Sequence, residues 1–280
     1  MILTLLKILP KNLLSRVVGR LMSLESPAAL VRLMKIWFAG HYQIRLDEAE
    51  KDFEDYSSIN ALFTRKLKPG LRPISGDLVH PCDSKVAEAG EVEEGLLIQV
   101  KDWRYSLSQL VGNPKLAEDL NGGQFTTYYL CPTDYHRVHS PVDGNLQAVR
   151  HIPGTLWPVN PASVSGIKSL FLKNERMVFE IETVFGVMAL VMVGATNVGK
   201  ITTSVGVDWV SNLASQKGVR SETIESEPAI KAGQELGIFH MGSTVICVWP
   251  KSAGVHDLPK GQPVKMGVAI RPEEPGSPIS

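Results

Sequence analysis

Apolar positions along this chain follow two different rhythms. Beyond Pro10, which suits a first helical turn, Leu13, Leu14, Val17, Val18, Leu21 and Met22 recur on one helical face, with Arg16 and Arg20 off the stripe. A second amphipathic helix is predicted from Ser26-Pro27, placing Leu30, Leu33, Met34 and Trp37 along one side. Residues 40–55 are polar and acidic and read as a connector. Ser57-Ser58 caps a short helix carrying Ile59, Leu62 and Phe63, which the proline- and glycine-bearing run 66–73 ends. From His80 onward the pattern changes to short β-branched and aromatic runs broken by glycine and proline, the mark of an antiparallel β domain. Predicted strands cover 96–100, 125–130, 144–152, 176–183, 187–193, 199–203 and 244–249, with local helices at 107–111 and 114–120. The expectation is an α+β chain: N-terminal amphipathic helices over 1–70, then a mostly antiparallel β domain over 71–280.

At 280 residues and 44% hydrophobic, the chain can bury a full core. Its 29 basic and 29 acidic residues balance, so no global field argues for nucleic acid. The balance hides an asymmetry. Residues 1–44 hold Lys7, Lys11, Arg16, Arg20, Arg32 and Lys35 against Glu25 alone, so the apolar end is also the basic end. Lys7 interrupts the first apolar run, and no segment reaches the roughly 18 apolar residues of a membrane span. No apolar stretch leads to a small-residue cleavage site either, so no cleaved signal peptide is expected. Such helices either dock on their own domain or lie in a membrane interface. Basic residues on the polar face, with Trp37 and Phe38 near one end, favour a peripheral position on an anionic membrane. The three cysteines, Cys82, Cys131 and Cys247, argue against a disulfide framework and suit a reducing compartment. No spacing among them suits structural zinc, and Gly194-Ala195-Thr196-Asn197-Val198-Gly199 lacks the strand-turn-helix context of a dinucleotide loop.

Chemistry gathers late in the chain, in Phe239-His240-Met241-Gly242-Ser243-Thr244-Val245. A glycine before a serine inside an apolar strand packs poorly. If the backbone there is bent, the serine oxygen can attack the Gly242 carbonyl and convert the amide to an ester. β-Elimination then cuts the chain, and the resulting dehydroalanine hydrolyses to an N-terminal pyruvoyl group. The plain alternative is a bulged strand.

The run from Phe125 to Pro141, containing Cys131-Pro132-Thr133-Asp134-Tyr135-His136-Arg137-Val138-His139, resembles the two-histidine motif of the phosphatidylserine decarboxylases. Gly242-Ser243-Thr244 matches that family's self-cleavage site, and Pro81-Cys82-Asp83 its upstream Pro-x-Asp segment. The likeness continues through Asn174-Glu175-Arg176, 193–199 and 231–237, and spans about Tyr56 to Val268. The resemblance implies cleavage between Gly242 and Ser243 into a β chain of residues 1–242 and an α chain of residues 243–280 that stay associated. It implies Asp83 as the carboxylate orienting a histidine, His139 as the base that deprotonates Ser243, and His136 as the histidine acting during decarboxylation. The pyruvoyl group made from Ser243 would form a Schiff base with phosphatidylserine and release CO2 and phosphatidylethanolamine, with no dissociable cofactor. No metal is expected either, because no cysteine or carboxylate at suitable spacing completes a site with His136 and His139. It further implies a peripheral protein on the cytoplasmic face of a bacterial inner membrane, allows a homodimer, and involves no nucleic acid.

Two positions depart from the pattern. Met241 stands where leucine is usual, and Ser84 follows Asp83 where glycine is expected, a strained serine if that position needs positive φ. Other readings stay open. A serine hydrolase could use Asp83, His139 and Ser243, although no Gly-x-Ser-x-Gly elbow surrounds the serine. Asp83-Ser84-Lys85 faintly suggests a carrier lysine, and the N-terminal helices alone would serve a non-catalytic, membrane-docked β module.

Overall fold

A computed structural model describes residues 10–101, 103–196, 200–215, 218–224, 228–255 and 258–271, and of Ser243 the backbone alone. Three helices come first: α1 (Lys11–Met22), α2 (Ala28–His41) and α3 (Ile59–Phe63). Ser58 caps α3 as its sequence predicts, its hydroxyl accepting from the Ala61 amide at 3.1 Å. The β region then runs through β1 (Ser84–Glu91), β2 (Leu96–Val100), β3 (Trp103–Ser106), α4 (Leu107–Val111), α5 (Pro114–Asp119), β4 (Gln124–Leu130), β5 (Arg137–His139) and β6 (Gly144–Ile152). After α6 (Pro161–Gly166) and α7 (Leu170–Lys173) come β7 (Arg176–Thr183), β8 (Gly186–Gly194), β9 (Ile201–Thr203), β10 (Arg220–Thr223), β11 (Ala229–Ile230), β12 (Glu235–Phe239), β13 (Ser243–Trp249) and β14 (Pro263–Val264).

The α+β expectation holds: helices precede a mostly antiparallel sheet domain. The large sheet has the order β10-β6-β7-β8-β13-β4-β1-β14, with β11 also on β6. Its pairs are antiparallel. Its central strands β7, β8 and β13 read as near-continuous apolar runs because both of their faces are buried. A smaller sheet, β5-β12-β9, adjoins it, and β2 pairs with β3.

Between β12 and β13 the chain crosses from the small sheet to the middle of the large one in three residues, His240, Met241 and Gly242. So short a crossing demands a sharp corner. Met241 adopts φ 93° and Gly242 φ 32°, so a non-glycine residue bears left-handed backbone next to the Gly-Ser bond. Ser84, by contrast, begins β1 in ordinary extended backbone, and the strain expected there does not arise.

The helices are inside out. Lys11 and Ser15 of α1 are buried against the β domain, with Lys11 Nζ 3.9 Å from the Trp157 ring centre and the Asn12 amide donating to the Gly154 carbonyl at 2.9 Å. Leu13, Leu14, Val17, Leu21 and Leu24 are exposed. In α2, Lys35 is buried and donates to the Tyr56 carbonyl at 2.6 Å, while Leu30, Leu33, Ile36 and Trp37 face outward, Leu33 at 65% and Trp37 at 60% exposure. Of the basic residues expected to meet lipid, Lys11 and Lys35 are thus spent on the protein's own body, while Arg20 and Arg32 stay exposed. Phe38 is buried against Ile44, Ile59 and Phe63 and is no surface anchor. Among the described residues no helix is long and apolar enough to cross a membrane.

Candidate active site

Ser243 opens the central strand β13, opposite Gly194 on β8 and Leu130 on β4. Both flanking strands belong to the part of the chain before Gly242. Asn174 fixes one of them: its amide nitrogen donates to the Gly194 carbonyl at 2.8 Å and the Trp157 carbonyl at 2.9 Å, and its oxygen accepts from the Trp157 amide at 3.0 Å. The other partner, Leu130, leads directly into the turn that carries the first histidine. Asp134 closes that turn, its carboxylate accepting from the Cys131 amide at 2.8 Å and its own amide donating to the Cys131 carbonyl at 2.9 Å.

His136 leaves the turn fully buried, its ring 3.9 Å from that of Phe63. Its carbonyl accepts from the Phe239 amide at 3.0 Å, which sets it level with the end of β12 that leads to Ser243. Nδ1 donates to the Asp134 carbonyl at 2.9 Å, so Nε2 carries a lone pair, buried and without a hydrogen-bond partner. Burial, with Arg65 adding repulsion, takes the His136 pKa down to about 3 despite the Asp134 bond.

His139 ends β5 opposite Glu235, farther along the small sheet. Nδ1 donates to the Gly233 carbonyl at 2.8 Å, and Nε2 therefore accepts from the Tyr135 hydroxyl, 3.1 Å away. Burial lowers the His139 pKa, and the Gly233 bond offsets that in part. Both histidines are thus neutral bases at neutral pH, each with Nδ1 committed to a backbone carbonyl.

Asp83 differs from the sequence expectation. It makes no hydrogen bond to His139. Its carboxylate is occupied by Arg72 in a two-pronged pair at 2.9 and 2.6 Å, by Lys265 Nζ at 2.8 Å and by the Met266 amide at 2.9 Å. Burial alone would raise its pKa, but the bonds from Arg72, Lys265 and Met266 hold it below the usual carboxylate value. With two cations and an amide to satisfy, the acid has no lone pair aimed at imidazole. The orienting acceptor of His139 is a backbone carbonyl instead.

Arg72, Lys265, Tyr135 and Gly233 were therefore missed as site residues by sequence reasoning. Tyr135 sits inside the two-histidine motif and Gly233 inside the matching 231–237 run, so position alone could have flagged them. Arg72 and Lys265 lie in basic loops that give no such signal. Cys82 and Cys247 are buried, with thiol pKa values raised by burial, and Cys131 is half-buried and shifted the same way, in keeping with packing rather than thiol chemistry. The side chain of Ser243 and the motif residues 197–199 lie outside the described residues.

Against known proteins, residues 59–271 match the family model described as phosphatidylserine decarboxylase. The chain is 40% identical over 271 residues to the phosphatidylserine decarboxylase proenzyme of Myxococcus xanthus (strain DK1622), covering 95% of this chain and 96% of that one. It is 41% identical over 273 residues to the proenzyme of that name from Anaeromyxobacter sp. (strain K), covering 96% and 95%. With its counterpart in Vibrio parahaemolyticus serotype O3:K6 (strain RIMD 2210633) it shares 39% identity over 272 residues, or 92% and 94%.

Proposed function

The chain belongs to the phosphatidylserine decarboxylase family, and from that premise we propose that it converts phosphatidylserine to phosphatidylethanolamine and CO2 with a pyruvoyl group cut from its own Ser243. The observation that carries the reading is the corner at Met241 and Gly242, whose positive φ angles bend the backbone at the bond to be broken. A Gly-Ser bond so placed is what serine attack on its own amide requires, and a flat strand would withhold the carbonyl from the hydroxyl.

In this proposal His139, neutral and held through Nδ1 by Gly233, takes the Ser243 proton at Nε2 once the Tyr135 hydroxyl releases it. Asp83 is a positioning residue: it ties Lys265 and Met266, which lie after the cut, to Arg72, which lies before it. A ketone at the head of β13, conjugated to an amide, supplies an electron sink for the carbanion left by CO2. His136, with a buried free lone pair at Nε2, takes up and returns the proton of the later reaction.

Topology supports association of the fragments in this reading. β13 is hydrogen-bonded on both sides to strands of residues 1–242, and β14 pairs with β1, so cleavage leaves the 243–280 chain embedded in the sheet. The division into a membrane-associating region over 1–70 and a catalytic domain over 71–280 belongs to the same proposal. So does a peripheral position on the membrane, the outward apolar faces of α1 and α2 entering the lipid interface.

Mass measurement of the denatured protein tests the reading. Two chains are expected, residues 1–242 and a 38-residue remainder blocked by pyruvoyl, with a single intact chain for Ser243→Ala. His139→Ala should stay uncut, and His136→Ala should be cut but turn over poorly. One uncut, active wild-type chain would overturn the mechanism and return the hydrolase reading.

A further inference from the structure

A cavity of about 300 Å³ lies between α1 and the β domain, and its inner wall is His240 and Met241, just before the Gly242-Ser243 bond. Three cations line it: Arg16 and Arg20 from α1 and Lys200 from the lead-in to β9. No carboxylate does, among the described residues. Arg16 and Arg20 stand one helical turn apart on the same face, where like charges repel. Arg16 reaches Asn212 Oδ1 at 3.3 Å, while the Arg20 guanidinium, on a residue whose backbone carbonyl accepts from the Ser23 amide, has no hydrogen bond or ion pair among the described residues. The neutral floor is fixed. His240 donates from Nδ1 to Asn60 at 3.1 Å and accepts at Nε2 from Thr202 at 3.1 Å, and burial, then Lys200, brings its pKa down to about 4.

A wall of cations with no carboxylate among the described lining residues, around a neutral floor, is a binding site for an anion. Its place determines which anion. The amine that reacts at position 243 and the phosphodiester of phosphatidylserine are separated by only a few bonds, and Met241 puts this cavity two residues from position 243. α1 supplies the acyl direction as well, because the helix that turns Arg16 and Arg20 into the cavity turns Leu13, Val17 and Leu21 outward.

We propose that this cavity is the head-group subsite: Arg20 and Lys200, with Arg16, bind the phosphodiester of the lipid and so select a phosphorylated amine over free serine. The inference rests on the decarboxylase reading and deepens it. It makes α1 a part of the substrate site and not only a membrane anchor. Asn60, on α3 with Phe63, further links the cavity floor to the ring packed on His136.

The test uses the processed wild-type protein and the Arg20→Gln/Lys200→Gln variant, whose two positions are exposed. Each is incubated with a hydride reductant and either glycerophosphoserine or serine methyl ester, both soluble and chain-free, and covalent capture on the 38-residue fragment is followed by mass. Wild type should capture glycerophosphoserine faster than the ester at equal low concentration. The variant should lose that preference by roughly tenfold, the worth of a charge-assisted contact, while its self-cleavage and its capture of the ester stay unchanged. Arg20→Lys should restore part of the preference. An unchanged preference in the variant would overturn the subsite. Loss of vesicle binding alone, with the soluble preference intact, would overturn it too and assign the cations to the bilayer surface. Capture of neither probe by wild type would overturn the pyruvoyl reading and the subsite with it.

Discussion

Tyr135 holds the proton-accepting nitrogen of His139: its hydroxyl lies 3.1 Å from Nε2, while Gly233 fixes Nδ1 at 2.8 Å. A lone pair bound to tyrosine cannot at the same time accept from serine. Tyr135→Phe removes the competitor without moving the ring, which stacks on His139 at 5.6 Å between centres. Self-cleavage of this variant, followed by gel during refolding, should proceed several-fold faster than wild type, and the fold should lose only about 1 kcal/mol. A variant that stalls uncut would make the tyrosine a relay between serine and histidine instead.

Asp83 and Arg72 should prove strongly coupled. Either residue, left without the other, loses a buried two-pronged pair and keeps only its remaining partners, Lys265 and the Met266 amide for Asp83 and Glu48 for Arg72, at a cost of about 1.5–3 kcal/mol. In a double-mutant cycle with Asp83→Asn and Arg72→Met, urea unfolding of the uncut Ser243→Ala background should give a double mutant less destabilised than the sum of the singles. Lys265→Met should weaken the fold less, since its ammonium is partly solvated. If Asp83 acted on His139 alone, Arg72→Met would leave stability near wild type.

How far the sequence went depends on what each segment buries. β6, β7 and β8 were legible because long apolar runs occupy their buried positions. β1 was not. Lys85, Glu88 and Glu91 break its pattern, and a register shift at Val86–Glu88 disturbs its alternation. β12 was hidden by Gly237, which a strand should avoid; here a Cβ would stand 2.7 Å from the Thr202 carbonyl, so the close approach of β9 requires glycine. At the site, Ser243 and the histidines were recognisable as a motif, but the partners of Asp83 come from residues 72 and 265–266. Only the fold brings those together. The helical stripe was found, and its orientation was not, because periodicity cannot say which face meets the body.

Acid should weaken the fold earlier than carboxylate protonation would. His80 and His240 have pKa values lowered to about 4 and His136 to about 3, in each case chiefly by burial. The unfolded chain takes up these protons near pH 6.5, as ordinary histidines do at about that value, and the folded chain does not. Stability is therefore full above about pH 6.5 and falls as pH drops toward 4, by about 1.4 kcal/mol per unit for each histidine. Asp83, held below its usual value, adds its own loss only at lower pH. Urea midpoints at about pH 7.5 and 4.5 should show a marked drop. His136→Asn, which does not titrate and retains a donor for the Asp134 carbonyl, should show a smaller one; an equal drop would place the acid sensitivity elsewhere.

Asn174 gives the sharpest separation of positioning from chemistry. Its amide holds the Gly194 carbonyl at 2.8 Å, directly across from Ser243, and touches the segment at Trp157 through two more bonds. Asn174→Asp is nearly isosteric but turns a donor into an acceptor, so a carboxylate oxygen would face two carbonyls where an N–H stood. The end of β8 should then shift, and with it the backbone groups that fix the start of β13. Cleavage should slow by at least about tenfold, since small displacements of reacting groups are costly. The core strands 176–183 and 187–193 are held by their own ladder, so the variant should still fold, with near-native circular dichroism but a clear drop in Tm from the buried carboxylate facing two carbonyls. Once cut, slowly, its turnover should recover most of the wild-type value, because the strained corner matters for breaking the bond and less for decarboxylation. A variant cut at the normal rate would mean that the ladder from Leu130 alone positions Ser243.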